Sequence, residues 1–319
     1  MLRPGARSLL QSRSGRLCIF CKRHSMAKRK QDAGDSDSGS DSEVNLIDVD
    51  FDFFSPNPNV DYHAIKRLLR QLFNADAELF HLHELTELVL SQPAVGTTIK
   101  TDGEETDPYA LLTVLNMHVH RAHPAVQAIG QYLLQKTQTA GPSGKSFHDA
   151  LVSLFAPEQT QNHVGFVICE RLINMPVQVM PPMYRMLGEE ITEAIAENEP
   201  YRFSHLLFIS RTYHLSQEDE TLLTATANAR VPSAKKVKKA PSQNATTQQR
   251  PADGIYSFHP EDELIMQHAT HTLNYTFTQS SATPRDAESF GLDTRGRAML
   301  VPAERLPELV ARMAETFTT

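Results

Sequence analysis

Along Ile47–Phe54 the residues alternate as far as Phe53: Ile47, Val49, Phe51 and Phe53 fall on one side, and Asp48, Asp50 and Asp52 on the other. A period of two over that length predicts a half-buried strand. The period then changes. Ile65, Leu68, Leu69, Leu72 and Phe73 recur at helical spacing behind Asp61, a residue type that caps helix starts. A second helix is expected over Leu79–Ser91, ended by Pro93, then strands over Val95–Lys100 and Tyr109–Val119. Helices follow at Pro124–Lys136 and Phe147–Phe155, and an apolar strand at His163–Cys169. Beyond it, Pro176 and the Pro181-Pro182 pair interrupt the chain. Proline cannot continue a helix but can open one, so Met183, Leu187 and Ile191 predict a helix starting at the pair. The outer residues of that helix, Glu189 and Glu190, read as solvated. His205–Tyr213 is a further apolar strand, with Arg211 marking its end. Short strands are expected at Ile255–Phe258, His271–Thr278 and Ala298–Pro302, with helices opened by Pro260–Glu263 and over Glu304–Phe317. Strand-to-strand and helical connections are mixed. The expected class is α+β (mixed α/β), a twisted central sheet flanked by helices.

Two stretches carry no such pattern. Residues 1–43 read as a disordered N-terminal extension with an acidic Ser-rich segment, and 230–252 as a disordered basic linker. The linker divides one domain into a main part, 44–229, and a C-terminal part, 253–319. Met1–Lys30 is rich in Arg and Lys and has no acid, the pattern of a mitochondrial transit peptide. Met26 also opens a plausible start for a nuclear protein. Both readings stand. Asp32–Asp52 reverses the sign, with acids and no Lys or Arg, and Ser38 and Ser40 each precede an acid by three residues, as acidophilic kinases require. Lys235, Lys236, Lys238 and Lys239 form a short basic run of the nuclear-import kind.

The net charge of −7 over 319 residues argues against general nucleic-acid binding, which needs a basic face. Three Cys do not make a disulfide framework. No apolar run approaches the ~18–20 residues that cross a bilayer.

Candidate chemistry is sparse. Cys18, Cys21 and His24 have zinc-like spacing, but no second pair closes the shell. His118, His120 and His123 form HxHxxH without an adjacent acid or Cys. Gln127–Tyr132 imitates the pyrophosphate loop of GNAT acetyltransferases, with Tyr132 where a small residue belongs. Gly141–Ser146 imitates the end of a phosphate loop, with Thr139 where the first Gly belongs. No catalytic, cofactor or metal constellation is expected. Asp48, Asp50 and Asp52 remain as an acidic face suited to a basic client.

The stretch ERLINMPVQVMPPMYRML, Glu170–Leu187, resembles the signature of the BCCIP family. The resemblance extends to Val49–Phe54, Asp61–Phe73, His205–Tyr213 and Phe258–Glu263, and so covers most of Val44–Phe317. It implies a fold distantly like the GNAT superfamily. It implies a nuclear binding protein with roles in protein transport, nuclear export and ribosome biogenesis. Its implied partners are a large-subunit ribosomal protein, a phosphatidylinositol phosphate kinase and the nuclear import and export machinery. The alternative that the same fold suggests is an acyltransferase using acetyl-CoA.

Overall fold

The computed structural model describes residues 15–21, 47–92, 94–217, 251–279 and 293–317. The Lys235–Lys239 run, Ser38, Ser40, Met26, His24, Pro93 and most of the 230–252 stretch lie outside these residues.

Among the described residues nine strands form one sheet. In chain order they are β1 (Gly15–Cys21), β2 (Ile47–Phe54), β3 (Thr97–Lys100), β4 (Ala110–Asn116), β5 (His163–Arg171), β6 (Phe203–His214), β7 (Ile255–Ser257), β8 (His271–Thr276) and β9 (Asp293–Pro302). The spatial order is β1-β2-β3-β4-β5-β6-β9-β8, with β7 also on β6. Every pairing is antiparallel except β5 with β6. The helices are α1 (Tyr62–Phe73), α2 (Leu82–Leu90), α3 (Pro124–Thr139), α4 (Lys145–Phe155), α5 (Met180–Ala196), α6 (Glu261–His268) and α7 (Leu306–Phe317).

The central strands are buried on both faces, because helices cover both. Leu111 and Leu115 of β4 join the helices α1 to α4 on one side. Leu112 and Val114 join α5, α6 and α7 on the other. Alternation along β2 sends Phe51 and Phe53 into the α5 side, as the period of two requires. The class is therefore mixed α/β, with a largely antiparallel open sheet between two helical layers. The Met-rich stretch belongs to this core. Met175, Met180 and Met183 are buried in one cluster and Met186 packs against it. Their unbranched side chains fill an irregular space under α5.

Three readings from sequence change. Gly15–Cys21 sits in the extension expected to be disordered, yet its backbone pairs with β2 from Gly15↔Phe53 to Cys21↔Ile47. That pairing satisfies backbone groups that β2 would otherwise leave open. Asp61 stands at the start of α1 but does not cap it. Its carboxylate instead accepts the Asn57 N–H at 2.8 Å and the buried Lys100 ammonium at 2.6 Å. A buried cation needs a counter-charge more than a helix end needs a cap. Arg211 does not end β6, which runs on to His214 with Arg211 itself buried.

Candidate protein-binding surface and the charge network beneath it

β2 is flanked by β1 and β3, and Asp52 lies opposite Lys100 in register. Following that antiparallel register outward leads from Asp50 to the turn after β3. Asp50 is exposed and Asp52 half-buried. The turn adds Asp102, Glu104, Glu105 and Asp107, all exposed. Of the cations nearby, Lys100 is buried and held by Asp61, Arg67 reaches Asp107 at 3.3 Å, and the register of β1 sets Arg16 opposite Asp52. One end of the sheet is thus an acidic pole built from β2 and the β3–β4 turn. Asp48 shares this face of β2 by its position in the strand.

The parallel pair β5–β6 is the other distinctive feature. The two strands pair from His163↔Phe203 to Val167↔Phe208 and then separate. Past that point β7 takes the place beside β6, and the Phe258 N–H donates to the Arg211 carbonyl at 3.2 Å. The opened seam is filled by charge. Glu170 of β5 accepts Arg211 Nε and Nη2 at 3.0 and 3.1 Å, His259 Nε2 at 2.8 Å and Gln71 Nε2 at 2.8 Å. Arg171 donates to both Glu261 oxygens at 2.9 Å and to the Met175 carbonyl at 2.7 Å. Phe258 covers the Arg211 guanidinium, 4.6 Å from its ring centre. All these charged groups are buried. Two carboxylates face two guanidiniums, so burial without neutralisation is avoided.

Burial alone would raise the Glu170 pKa. Hydrogen bonds from His259 and Arg211 outweigh it and hold the carboxyl at about 2. Asp262 beside it goes the other way. Burial pushes it up to about 7 against the pull of His259, and its Oδ2 has no hydrogen-bond partner among the described residues. A carboxyl raised in the fold stabilises it fully below the ordinary value of 3.8, and that contribution is lost as pH rises towards 7. Asp262→Asn is therefore expected to flatten the fall in stability between pH 3.8 and 7. Urea midpoints measured across that range check it, and a slope equal to the parent's would contradict it.

A strand leading into a helix start, as in β5 to α5, is where phosphate groups bind when free amides point outward. Here two of the first three residues of α5 are proline, and Val179, Met180 and Pro181 are buried. The donors a pyrophosphate needs are missing. Gln127–Tyr132 is no loop either. It lies inside α3, with Tyr132 buried and its hydroxyl donating to Asp76 at 2.7 Å. Gly141–Ser146 is a turn entering α4. A calorimetric titration with acetyl-CoA is expected to give no binding heat; saturable heat would show a phosphate site elsewhere on the chain.

The histidine motif also resolves. β4 ends at Asn116, so His118 and His120 sit in a turn and not on a strand. The Val164 N–H donates to His118 Nδ1 at 3.1 Å, and Nε2 donates to the Leu154 carbonyl at 2.9 Å. Both ring nitrogens are occupied, and burial lowers the His118 pKa. Its role is to clasp the turn to β5 and α4. Among the described residues no cluster of His, Cys, Asp or Glu could hold a metal ion.

A model of the BCCIP family matches residues 46–265, from the start of β2 into α6. The chain is 38% identical over 266 residues to Protein BCP1 of Gibberella zeae, covering 82% of this chain and 84% of that protein. This chain belongs to the BCCIP family. With Protein bcp1 of Schizosaccharomyces pombe the identity is 35% over 302 residues, 94% of this chain and all of that one (100%). The crystal structure of BCP1 from Saccharomyces cerevisiae is similar in fold, with a TM-score of 0.54 and 22% identity, covering 88% of this chain and 93% of that one. The acidic β2, the opened seam and the proline-started α5 all lie within the part matched to the BCCIP family.

Sequence reasoning singled out Asp50 and Asp52 but missed the network. The Arg171 partner, Glu261, lies 90 residues further along the chain. Glu190, read as solvated, in fact accepts the Gly96 N–H at 2.9 Å and Thr97 Oγ1 at 3.1 Å, tying α5 to β3. The available signal was a charged residue set directly against an apolar run, as at Glu170-Arg171 and Arg211.

Proposed function

We propose that this BCCIP-family chain is a non-enzymatic nuclear protein that acts as chaperone and transport adaptor for a basic client, first of all a large-subunit ribosomal protein. The observation that carries this reading is the acidic pole of Asp50, Asp102, Glu104 and Glu105, exposed together at one end of the sheet. An unassembled ribosomal protein carries dense positive charge meant for RNA. A fixed acidic surface would attract it over a distance, speed the encounter and suppress aggregation. The Ser38 and Ser40 region would add negative charge on phosphorylation. Lys235–Lys239 would serve the import machinery, and a phosphatidylinositol phosphate kinase is a second expected partner. The test is association with the basic client as salt is raised. Attraction between charges predicts a steep loss, whereas binding that persists in high salt would place the client on an apolar surface instead.

A further inference from the structure

The HxHxxH turn, unused by the function above, walls a groove of about 470 Å³ against α3 and the end of α4. Its floor is apolar: Met117, Val126, Gly130, Leu134 and Phe155. Along α3 the lining residues run from Val126 to Leu134, a length of about 12 Å at 1.5 Å per residue, or two helical turns. Gly130 keeps the floor open. A β-carbon there would meet only the Phe155 ring, at 3.9 Å, an ordinary contact, so packing does not require glycine. Glycine inside a helix costs about 1 kcal/mol relative to alanine. The fold therefore carries a destabilising residue where it deepens the groove.

The rim has one formal charge. Arg121 is exposed, donates to the Pro157 carbonyl at 3.1 Å and makes no ion pair with any described residue. Among the described residues no Asp or Glu lines the groove, and both ring nitrogens of His118 are engaged, with burial lowering its pKa. Gln127 and Gln131, exposed at i and i+4, add polar contacts along one edge.

We infer that this groove docks an amphipathic helix of a protein partner, with apolar side chains over Gly130 and a flanking carboxylate on Arg121. Two turns of length, an apolar floor and a single unpaired cation fit a helix with anchors at i, i+3 or i+4 and i+7 and acids beside them. The charge is opposite to that wanted by the acidic pole, so this partner is distinct from the basic client and the inference does not depend on it.

The chain has no Trp, so a Trp-bearing peptide reports its own binding by fluorescence. The probes are a synthetic helix with Leu and Trp at those anchor positions flanked by Glu, and its twin with Lys in place of each Glu, both read on the full chain carrying Asp50→Gln, Asp102→Asn, Glu104→Gln and Glu105→Gln so that the Lys twin has no second site at the acidic pole. The Glu peptide is expected to bind that chain, and the Lys twin roughly tenfold or more weakly, because its Lys would meet the like charge of Arg121. Gly130→Leu should abolish binding while leaving the melting temperature unchanged or higher, which separates blockage from unfolding. Arg121→Glu should reverse the preference between the peptides. Equal binding of both peptides, binding of neither, unchanged binding by Gly130→Leu, or no reversal by Arg121→Glu would each overturn the inference.

Discussion

Glu170→Ala is expected to destabilise the fold by about 3–5 kcal/mol, the cost of breaking a buried ion pair by removing one partner. The loss is large because Glu170 serves several donors at once. Without it, the Arg211 guanidinium loses its bidentate acceptor at 3.0 and 3.1 Å, and His259 and Gln71 lose theirs at 2.8 Å. Water cannot readily replace it, since Glu170 and Arg211 are both buried. The damage should also spread, because the network holds three elements together: β5 through Glu170, β6 through Arg211 and the approach to α6 through His259. Urea unfolding should show a lower midpoint with an unchanged slope. Replacing Glu170 and Arg211 together by apolar residues of similar size should cost less than the single change, since no charge is then stranded. A single-variant loss below about 1 kcal/mol, the range of an exposed pair, would mean that water reaches the seam.

The second large effect separates from the first because it leaves stability alone. Asp50→Lys, Glu104→Lys and Glu105→Lys together reverse the exposed part of the acidic pole. Each site is on the surface and away from the core, so stability should change by less than about 0.5 kcal/mol per site. Association with a basic client should fall by about 10–1000-fold, mostly in the on-rate, because steering depends on the summed field. The parent's advantage should shrink as salt rises, over a screening length of about 8 Å at physiological ionic strength. Stopped-flow association at several salt concentrations measures this. Asp52 is left intact because it is half-buried, and its replacement would mix the two effects.

The residues that were legible in the sequence were those whose partners are local. The alternation of β2 placed Phe51 and Phe53 in the core. The i, i+4 pattern placed Met183 and Leu187, and the proline pair fixed the start of α5. Helix ends moved by a few residues, as at α2, which begins at Leu82 after a turn over Asn74–Leu79. The network was not legible for a different reason. Glu170, Arg211 and His259 meet only because β5 and β6 part and the chain returns through β7, and no spacing along one element encodes that return. Arg211 looked like a strand terminator because a charge inside an apolar strand is costly, until a partner 41 residues away is supplied. Glu261 and Asp262 looked like acids favouring a helix start, yet Glu261 is committed to Arg171 and Asp262 is buried beside it. The metal-like and phosphate-like motifs already fail on their letters, HxHxxH for want of an adjacent acid or Cys and Gln127–Tyr132 for Tyr132 itself, and the backbone sets the first in a turn and the second inside α3.

The most direct test of the central claim is quantitative capture of partners from nuclear extract at low and high salt, with the parent chain and the triple Lys variant side by side. The account predicts one basic ribosomal protein at near-equal amount on the parent, released by salt and absent from the variant. A broad substoichiometric mixture, or a partner held equally by both proteins through high salt, would contradict it.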